Sequence, residues 1–205
     1  MIHPTAIVED GVVIGARTSV WDNVHLRRDA RIGIDCIIGE KSYLAPGVIV
    51  GDRVKINAFV YICSEVTIED GVMIAAGTIF TNDRFPRATT PDLQALRSSD
   101  IDEHTRPTRV GAGATIGAGA VIGCDLTVGR FAMIGMGSVV TKTIPDFGLV
   151  VGNPARTIGF VCRCGEPVAR FAAGTAIADA NVACPVCARE YALSASQLLE
   201  LAAAD

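Results

Sequence analysis

Aromatic residues are scarce, 5% of 205, with Trp21 the one tryptophan. The 50% apolar content must therefore be carried by Ile, Val, Leu and Ala, which suits a narrow core rather than a broad one. Basic residues are also few: 18 Lys and Arg against 22 Asp and Glu leave a formal charge of −4, where a general nucleic-acid binder would be basic. Any anionic ligand must be met by local arginines. No apolar run reaches the 18 residues of a membrane-spanning helix. Met1-Ile2-His3-Pro4 lacks the basic start and apolar stretch of a signal peptide, which gives a cytoplasmic expectation. A phosphate loop of the G-x-x-x-x-G-K-S/T kind is missing too. Seven cysteines without an export signal fit a reducing compartment and metal ligation better than disulfides.

What the chain has in abundance is a period of six. Stepping from Ile2 by six residues meets Val8, Ile14, Val20, Leu26, Ile32, Ile38, Leu44, Val50, Ile56, Ile62, Ile68, Ile74 and Phe80 without a miss. A second small or aliphatic residue lies four positions after each, from Ala6 and Val12 to Val72 and Thr78. The pattern resumes at Val110 and runs through Ile116, Ile122, Val128, Ile134 and Val140, the first five each followed by glycine. A helical face recurs at about 3.6 residues and a half-buried strand at 2, so neither accounts for six. A short strand followed by a tight corner does. The two marked positions of each hexad point inward, the residue between them outward, and Gly, Ala, Asp and Asn after the inward aliphatic supply the corner. Three such faces close a coil of roughly 18 residues, and coils stack at about 4.8 Å. The expected fold is all-β: a parallel β-helix of about seven coils.

The outward position read at 18-residue spacing gives a column, His25, Tyr43, Tyr61 and Ile79, on one face. Trp21 takes a corner where small residues are the rule, a place that suits a subunit contact or a cap. Between Phe80 and Val110 the period is lost; residues 81–109 hold three prolines, no glycine and five arginines (Arg84, Arg87, Arg97, Arg106, Arg109). A long basic loop on an acidic protein points to an anionic group such as phosphate. Cys36 falls on an inward position, and Cys63 and Cys124 fall at corners with nothing nearby to activate them.

The ladder ends near Ile144-Pro145-Asp146, and Val150-Val151-Gly152-Asn153-Pro154-Ala155-Arg156 follows. Residues 160–205 form a second module beside the 1–159 β-helix. Cys162-x-Cys164 and Cys184-x-x-Cys187 frame it, a donor set suited to tetrahedral zinc with no open position for water. Disulfides or free thiols are the alternative. Ser194-Ala195-Ser196-Gln197 reads as a capping box opening a short helix with Leu198, Leu199 and Leu201.

The hexad ladder with its Gly-Asn-Pro-Ala-Arg segment resembles the hexapeptide-repeat acyltransferases. The resemblance implies a left-handed helix, although the general crossover rule favours the other hand. Trp21 with His25, Phe80-Thr81-Asn82 with Pro86-Arg87, and Val151 to Arg156 look like the N-acetyltransferases of nucleotide-linked 3-amino sugars. Among these the likeness is to enzymes acting on UDP-2-acetamido-3-amino-2,3-dideoxyglucuronate in O-antigen and capsule assembly, with those acting on dTDP-3-amino-3,6-dideoxyhexoses as near neighbours. The resemblance implies a homotrimer with acetyl-CoA as cosubstrate in the groove between subunits. It makes Asn82 the residue that orients the sugar amine, and His25 the best candidate base. An interface role fits His25 equally, and a mechanism in which the departing thiolate takes the proton needs no protein base. Arg84, Arg87 and Tyr61 are candidates for the sugar nucleotide; Gly135, Lys142, Asn153, Pro154 and Arg156 are candidates for coenzyme A. Two other readings compete with this one. A β-helical metal hydratase of the carbonic anhydrase kind needs three gathered histidines, and His3, His25 and His104 are far apart in sequence. A non-enzymatic scaffold would use the zinc ribbon to hold a protein partner, a role that can also accompany catalysis.

Overall fold

A computed structural model of the chain describes residues 1–175, 177–194 and 197–201. Each hexad contributes a strand of two or three residues, and strands 18 residues apart pair in parallel until the loop intervenes. The result is a three-faced left-handed β-helix. The first face stacks Ile7–Val8, His25–Leu26, Tyr43–Leu44, Tyr61–Ile62, Ile79–Phe80, Val121–Ile122 and Val139–Val140. The second runs from Val13–Ile14 to Leu126–Val128, and the third from Ser19–Val20 to Met133–Ile134. The expected column holds: His25 pairs with Tyr43, Tyr43 with Tyr61, and Tyr61 with Ile79.

The inward hexad residues from Val20 to Phe80 and from Val110 to Val140 are almost wholly buried in one continuous core. Val8 and Ile14, on the first coil, are less covered because a coil lies on one side of them only. Hydroxyls at the second inward position do not break the core. Thr18 Oγ1 donates to the Gly33 carbonyl (2.7 Å) and accepts from the Cys36 N–H (3.0 Å), closing its own hydrogen bonds inside the prism.

The corners differ from the expectation. The left-handed residue is the third after the inward aliphatic, and from Gly11 to Gly77 every sixth residue has positive φ. Most are not glycine: Arg17, Asn23, Asp29, Asp35, Lys41, Arg53, Phe59 and Glu65 adopt it. Each such residue costs about 1–2 kcal/mol. The stack offsets this, because the N–H so presented reaches the coil below, as in Lys41 to the Asp22 carbonyl (3.0 Å) and Phe59 to that of Glu40 (2.9 Å). Glycines directly after the aliphatic serve clearance instead. A Cβ on Gly117 would stand 2.5 Å from the Met136 backbone nitrogen in the next coil.

Thr108–Val110 has already rejoined the second face by pairing with Val66–Ile68, so the excursion spans 81–107. Beyond the last coil, Gly148–Gly152 extends the third face, and Ala155–Val161 and Pro167–Arg170 fold back antiparallel on it. The sheet thus passes through position 160. Ala180–Ala183, Glu190–Ser194 and Gln197–Glu200 form a separate three-stranded antiparallel sheet. The short C-terminal helix is therefore overturned. Ser194 pairs with Gln197 and Leu193 with Leu198, and Leu198 is buried while Leu199 is exposed, a period of two. So short a helix would lack the turns to sustain itself, whereas the hairpin satisfies its backbone across the strands. Ala195 and Ser196 of that motif lie outside the described residues. Among the described residues no helix is long and apolar enough to cross a membrane.

A second core gathers Phe147, Phe160, Cys162, Cys184, Tyr191, Leu193 and Leu198. Phe131, Phe147 and Tyr191 follow one another with ring centroids 5.5 Å apart, and Arg163 lies 4.7 Å from the Phe131 ring, so the module is fixed to the last coils.

Candidate active site

The corners that follow the first face stack into a floor: Arg27-Arg28, Ala45-Pro46, Cys63-Ser64 and Asn82-Asp83. The 81–107 loop folds over it and encloses a cleft of about 540 Å³. Its fold is held by bridges between Asp83 and Thr105 and between Thr89 and Leu96, and by Arg97, set between Asp102 (3.5 Å) and Asp83 (3.9 Å). Asp100 reaches Arg28 at 3.9 Å, the point at which loop and floor meet as charges. Tyr43 and Tyr61 line one side with rings stacked at 5.1 Å.

Beneath Tyr43 lies a compact ionic cluster. Glu9 Oε1 is 2.8 Å from His25 Nε2 and 2.6 Å from Arg27 Nε, while Glu9 Oε2 accepts the Arg28 backbone N–H at 2.8 Å. Arg27 Nη1 donates to the Tyr43 hydroxyl at 2.6 Å. Arg27 first, then the Arg28 N–H and His25, hold the Glu9 carboxyl down to about 2. A carboxylate only accepts, so His25 Nε2 carries the hydrogen of this contact and Nδ1 is the ring nitrogen turned away from Glu9. Arg27 is in turn aimed along the cleft floor by Glu9 and Tyr43.

A carboxyl lowered in the folded state contributes stability that is complete above the ordinary value of 4.5 and is lost as pH falls through about 2. Denaturant unfolding of wild type and Glu9→Gln at pH 5 and pH 2.5 is expected to show a larger acid loss for wild type. Parallel losses would mean that the cluster contributes nothing to the fold.

Of the residues expected at the site, Asn82, Arg87 and Tyr61 line this cleft. Arg84 does not; it pairs with Asp125 at 2.7 Å. His25 lies one coil below Tyr43 with its Nε2 turned to Glu9, and the cleft wall leaves it out, so Asn82 and His25 are not brought together within one chain. Lys142 follows Val140, two coils above Phe80 and about 10 Å along the axis by strand spacing. Gly135 abuts Val151, since a Cβ there would come 2.7 Å from its Cγ1, two residues before Asn153 and Pro154, which are exposed. Arg27 and Arg28 of the floor went unpredicted, and Tyr43 and Arg97, met in the sequence as members of the outward column and the basic loop, join the site here. Arg28 and Asn82 stand 54 residues apart, three steps of 18 along one corner row, a column close to the outward one that the sequence alone could have shown.

Cys63 lines the cleft as a buried thiol pushed up to about 12 by desolvation, hence an inert wall. The four C-terminal cysteines converge: the sulfurs of Cys162, Cys164, Cys184 and Cys187 all lie within 4.8 Å of one another. Cys162 and Cys187 stand at 3.3 Å and Cys164 and Cys184 at 3.6 Å, near the edge of about 3.8 Å that a tetrahedron with metal–sulfur bonds of about 2.3 Å requires. The Arg189 backbone N–H, then Cys162, brings Cys187 down to about 6. Tyr191 hydroxyl stands 3.0 Å from Cys162 Sγ, a contact that orients this sulfur. The set can hold one metal ion with no position left for water. Among the described residues this is the one group of three or more such side chains placed so that it could hold a metal ion, and histidine has no part in it.

Two family models match the chain. One, described as bacterial transferase hexapeptide (six repeats), matches residues 29–63 and 49–82. The other, hexapeptide repeat of succinyl-transferase, matches 5–33 and 107–142. Together they take in more than half of the chain. It belongs to the hexapeptide-repeat acyltransferase family. A dTDP-3-amino-3,6-dideoxy-alpha-D-galactopyranose 3-N-acetyltransferase of Aneurinibacillus thermoaerophilus is 46% identical over 57 residues, 28% of this chain and 30% of the relative. The bifunctional protein GlmU of Heliobacterium modesticaldum is 30% identical over 182 residues, 74% of this chain and 36% of that protein. The chain thus spans about a third of the length of these curated relatives. The acetyltransferase domain of PglB from Neisseria gonorrhoeae shares the fold, with TM-score 0.51, 23% identity, and coverage of 77% of this chain and 56% of that one. So does a point mutant of AntD, an N-acyltransferase from Bacillus cereus, with TM-score 0.50, 18% identity, and coverage of 80% and 81%. In this hexapeptide-repeat protein the repeats carry the fold, and the corner floor and loop carry what is individual to it.

Proposed function

We propose that this protein transfers an acetyl group from acetyl-CoA to the 3-amino group of a nucleotide-linked amino sugar, for polysaccharide assembly of the O-antigen or capsule type. The observation that carries the reading is the cleft in which Asn82 stands between the arginine-bearing floor and the loop's Arg87. The 46% identity to a 3-N-acetyltransferase of a dTDP-amino sugar supports the acceptor class. The unit proposed is a cytoplasmic homotrimer, with coenzyme A held from the Lys142, Asn153, Pro154 and Arg156 end. The four thiols hold zinc, whose tetrahedral preference and affinity for sulfur match their spacing; the ion is structural, and the module around it also offers a surface for a protein partner.

In the reaction the neutral amine attacks the thioester carbonyl, a C–N bond forms, and the C–S bond breaks with departure of the coenzyme thiolate. The amine proton passes to that thiolate or to a base. Asn82, whose carboxamide both donates and accepts, orients the amine; it is no base at neutral pH. Arg27, Arg28 and Arg87 bind the diphosphate or a sugar carboxylate, Arg27 with its direction already set by Glu9 and Tyr43. His25 keeps Glu9 in place, and as a base it serves only a substrate that reaches its Nδ1 side from a neighbouring subunit.

The test is a thermal-shift and thiol-release screen with acetyl-CoA and a panel of UDP- and dTDP-linked amino sugars. Binding to the native state must raise the apparent melting temperature. A shift with acetyl-CoA and thiol release with one 3-amino sugar nucleotide are the expected result. Neither shift nor turnover across the panel would overturn the reading.

A further inference from the structure

Tyr43 lines the arginine-floored cleft, and its ring is held on two sides. Tyr61 stacks on it at 5.1 Å with the planes inclined by only 4°, and the His25 ring meets it edge-on at 5.4 Å. The ring is therefore fixed, and what it presents is a hydroxyl. Arg27 Nη1 stands 2.6 Å from the Tyr43 oxygen. A guanidinium only donates, so this oxygen is the acceptor and its own hydrogen is directed elsewhere. Among the described hydrogen bonds Tyr43 donates none to the protein.

Three successive coils prepare this donor. Glu9 and Arg27 are 18 residues apart, and the Glu9 main chain bonds to the coil that carries Arg27. Tyr43 is on the next strand of the first face, paired with His25. Glu9 Oε1 stands 2.6 Å from Arg27 Nε, and Glu9 Oε2 accepts the Arg28 main-chain N–H at 2.8 Å. Stacked coils are rigid supports, so the direction of the hydroxyl is set before a ligand arrives. A hydroxyl that accepts from a cation is polarised and donates a stronger bond, strongest when the acceptor is an anion. Arg28 and Arg87 line the same cleft and suit the same kind of group.

We infer that Tyr43 is a binding residue for the acceptor. Its hydroxyl donates to an anionic oxygen of the sugar nucleotide, on the diphosphate or on a sugar carboxylate, and Glu9, through Arg27, is the positioning residue behind it. This rests on the proposed nucleotide-linked acceptor. Arg27 then acts on the acceptor through the Tyr43 hydroxyl as well as directly. Removal of the hydroxyl weakens the acceptor and leaves the acyl donor untouched.

The experiment compares wild type, Tyr43→Phe, Glu9→Gln and the double variant at a temperature where circular dichroism shows each fully folded. Tyr43→Phe keeps the ring and its stacking and removes the hydroxyl alone. Calorimetry measures binding of UDP, dTDP and the UDP- and dTDP-linked 3-amino sugars, with and without a sugar carboxylate, beside steady-state kinetics with acetyl-CoA. Tyr43→Phe is expected to weaken the sugar nucleotide about tenfold in Kd and KM, the usual worth of a hydrogen bond to a charged group. Its kcat and its KM for acetyl-CoA should stay within about twofold of wild type, as when binding alone is lost. Glu9→Gln should weaken the same ligand, and should lose most of that effect in the Tyr43→Phe background, because the two act at one hydroxyl. Weaker binding of UDP or dTDP alone assigns the oxygen to the diphosphate; weakening confined to a sugar nucleotide with a carboxylate assigns it to the sugar. Unchanged Kd and KM in Tyr43→Phe, or effects of the two substitutions that simply add, overturn the inference while the acceptor class stands. Wild type that binds no nucleotide or sugar nucleotide of the panel overturns the acceptor reading itself, and the inference falls with it.

Discussion

Asn82→Ala is expected to lower kcat by about 100-fold or more while the melting temperature stays within roughly 2 °C of wild type, by the usual effect of removing one polar group aimed at the reacting centre. The physical reason is the division of labour at this position. Its main chain belongs to the fold, since the Asn82 carbonyl accepts the Arg106 N–H at 2.7 Å and so fastens the loop's return. Its side chain makes no hydrogen bond with the protein among those described and faces the cleft. Alanine therefore keeps the fastening and removes only the carboxamide. A steady-state thiol-release assay beside a thermal melt checks it. Activity and stability falling together would show that Asn82 is a structural residue, and full activity would remove it from the site.

Cys184→Ser should abolish metal binding and unfold the C-terminal module while leaving the β-helix standing. Four protein ligands in a closed tetrahedron make the binding energy of zinc, on the order of 10 kcal/mol, part of the folding energy of whatever holds them. Here that is a core of seven buried side chains, two of them ligands themselves, too small to persist once the ligands disperse. The prism has its own core from Val20 to Val150 with no side chain in common. Elemental analysis should find zinc with wild type and none with the variant, and limited proteolysis should remove the residues beyond Val161 from the variant only. Cys124→Ser, a corner thiol apart from the cluster, should retain the metal. A wild-type preparation that is free of metal and fully protected would overturn the zinc assignment.

The period of six determined the β-helix by itself, because only an inward residue at every sixth place fills a narrow prism, and the error of one residue would turn a whole strand inside out. The column of His25, Tyr43, Tyr61 and Ile79 followed from it, as did the buried place of Cys36, while the gathering of the four C-terminal cysteines was legible separately, in their two close pairs. The corner chemistry was not legible. Arginine, lysine and phenylalanine occupy left-handed positions there because hydrogen bonds to the coil below offset a strain that local preference alone would avoid. Nor was the strand at Gln197–Glu200, where a capping signal competes with pairing to Glu190–Ser194 that exists only once the hairpin is closed. Which arginines meet was likewise a tertiary matter. Arg84 and Arg87 are three residues apart in one loop, yet one turns to Asp125 and the other to the cleft, since a loop has no repeat to fix the direction of its side chains. Periodic sequence specifies what is stacked, and the folded chain decides what the stack and its loop enclose.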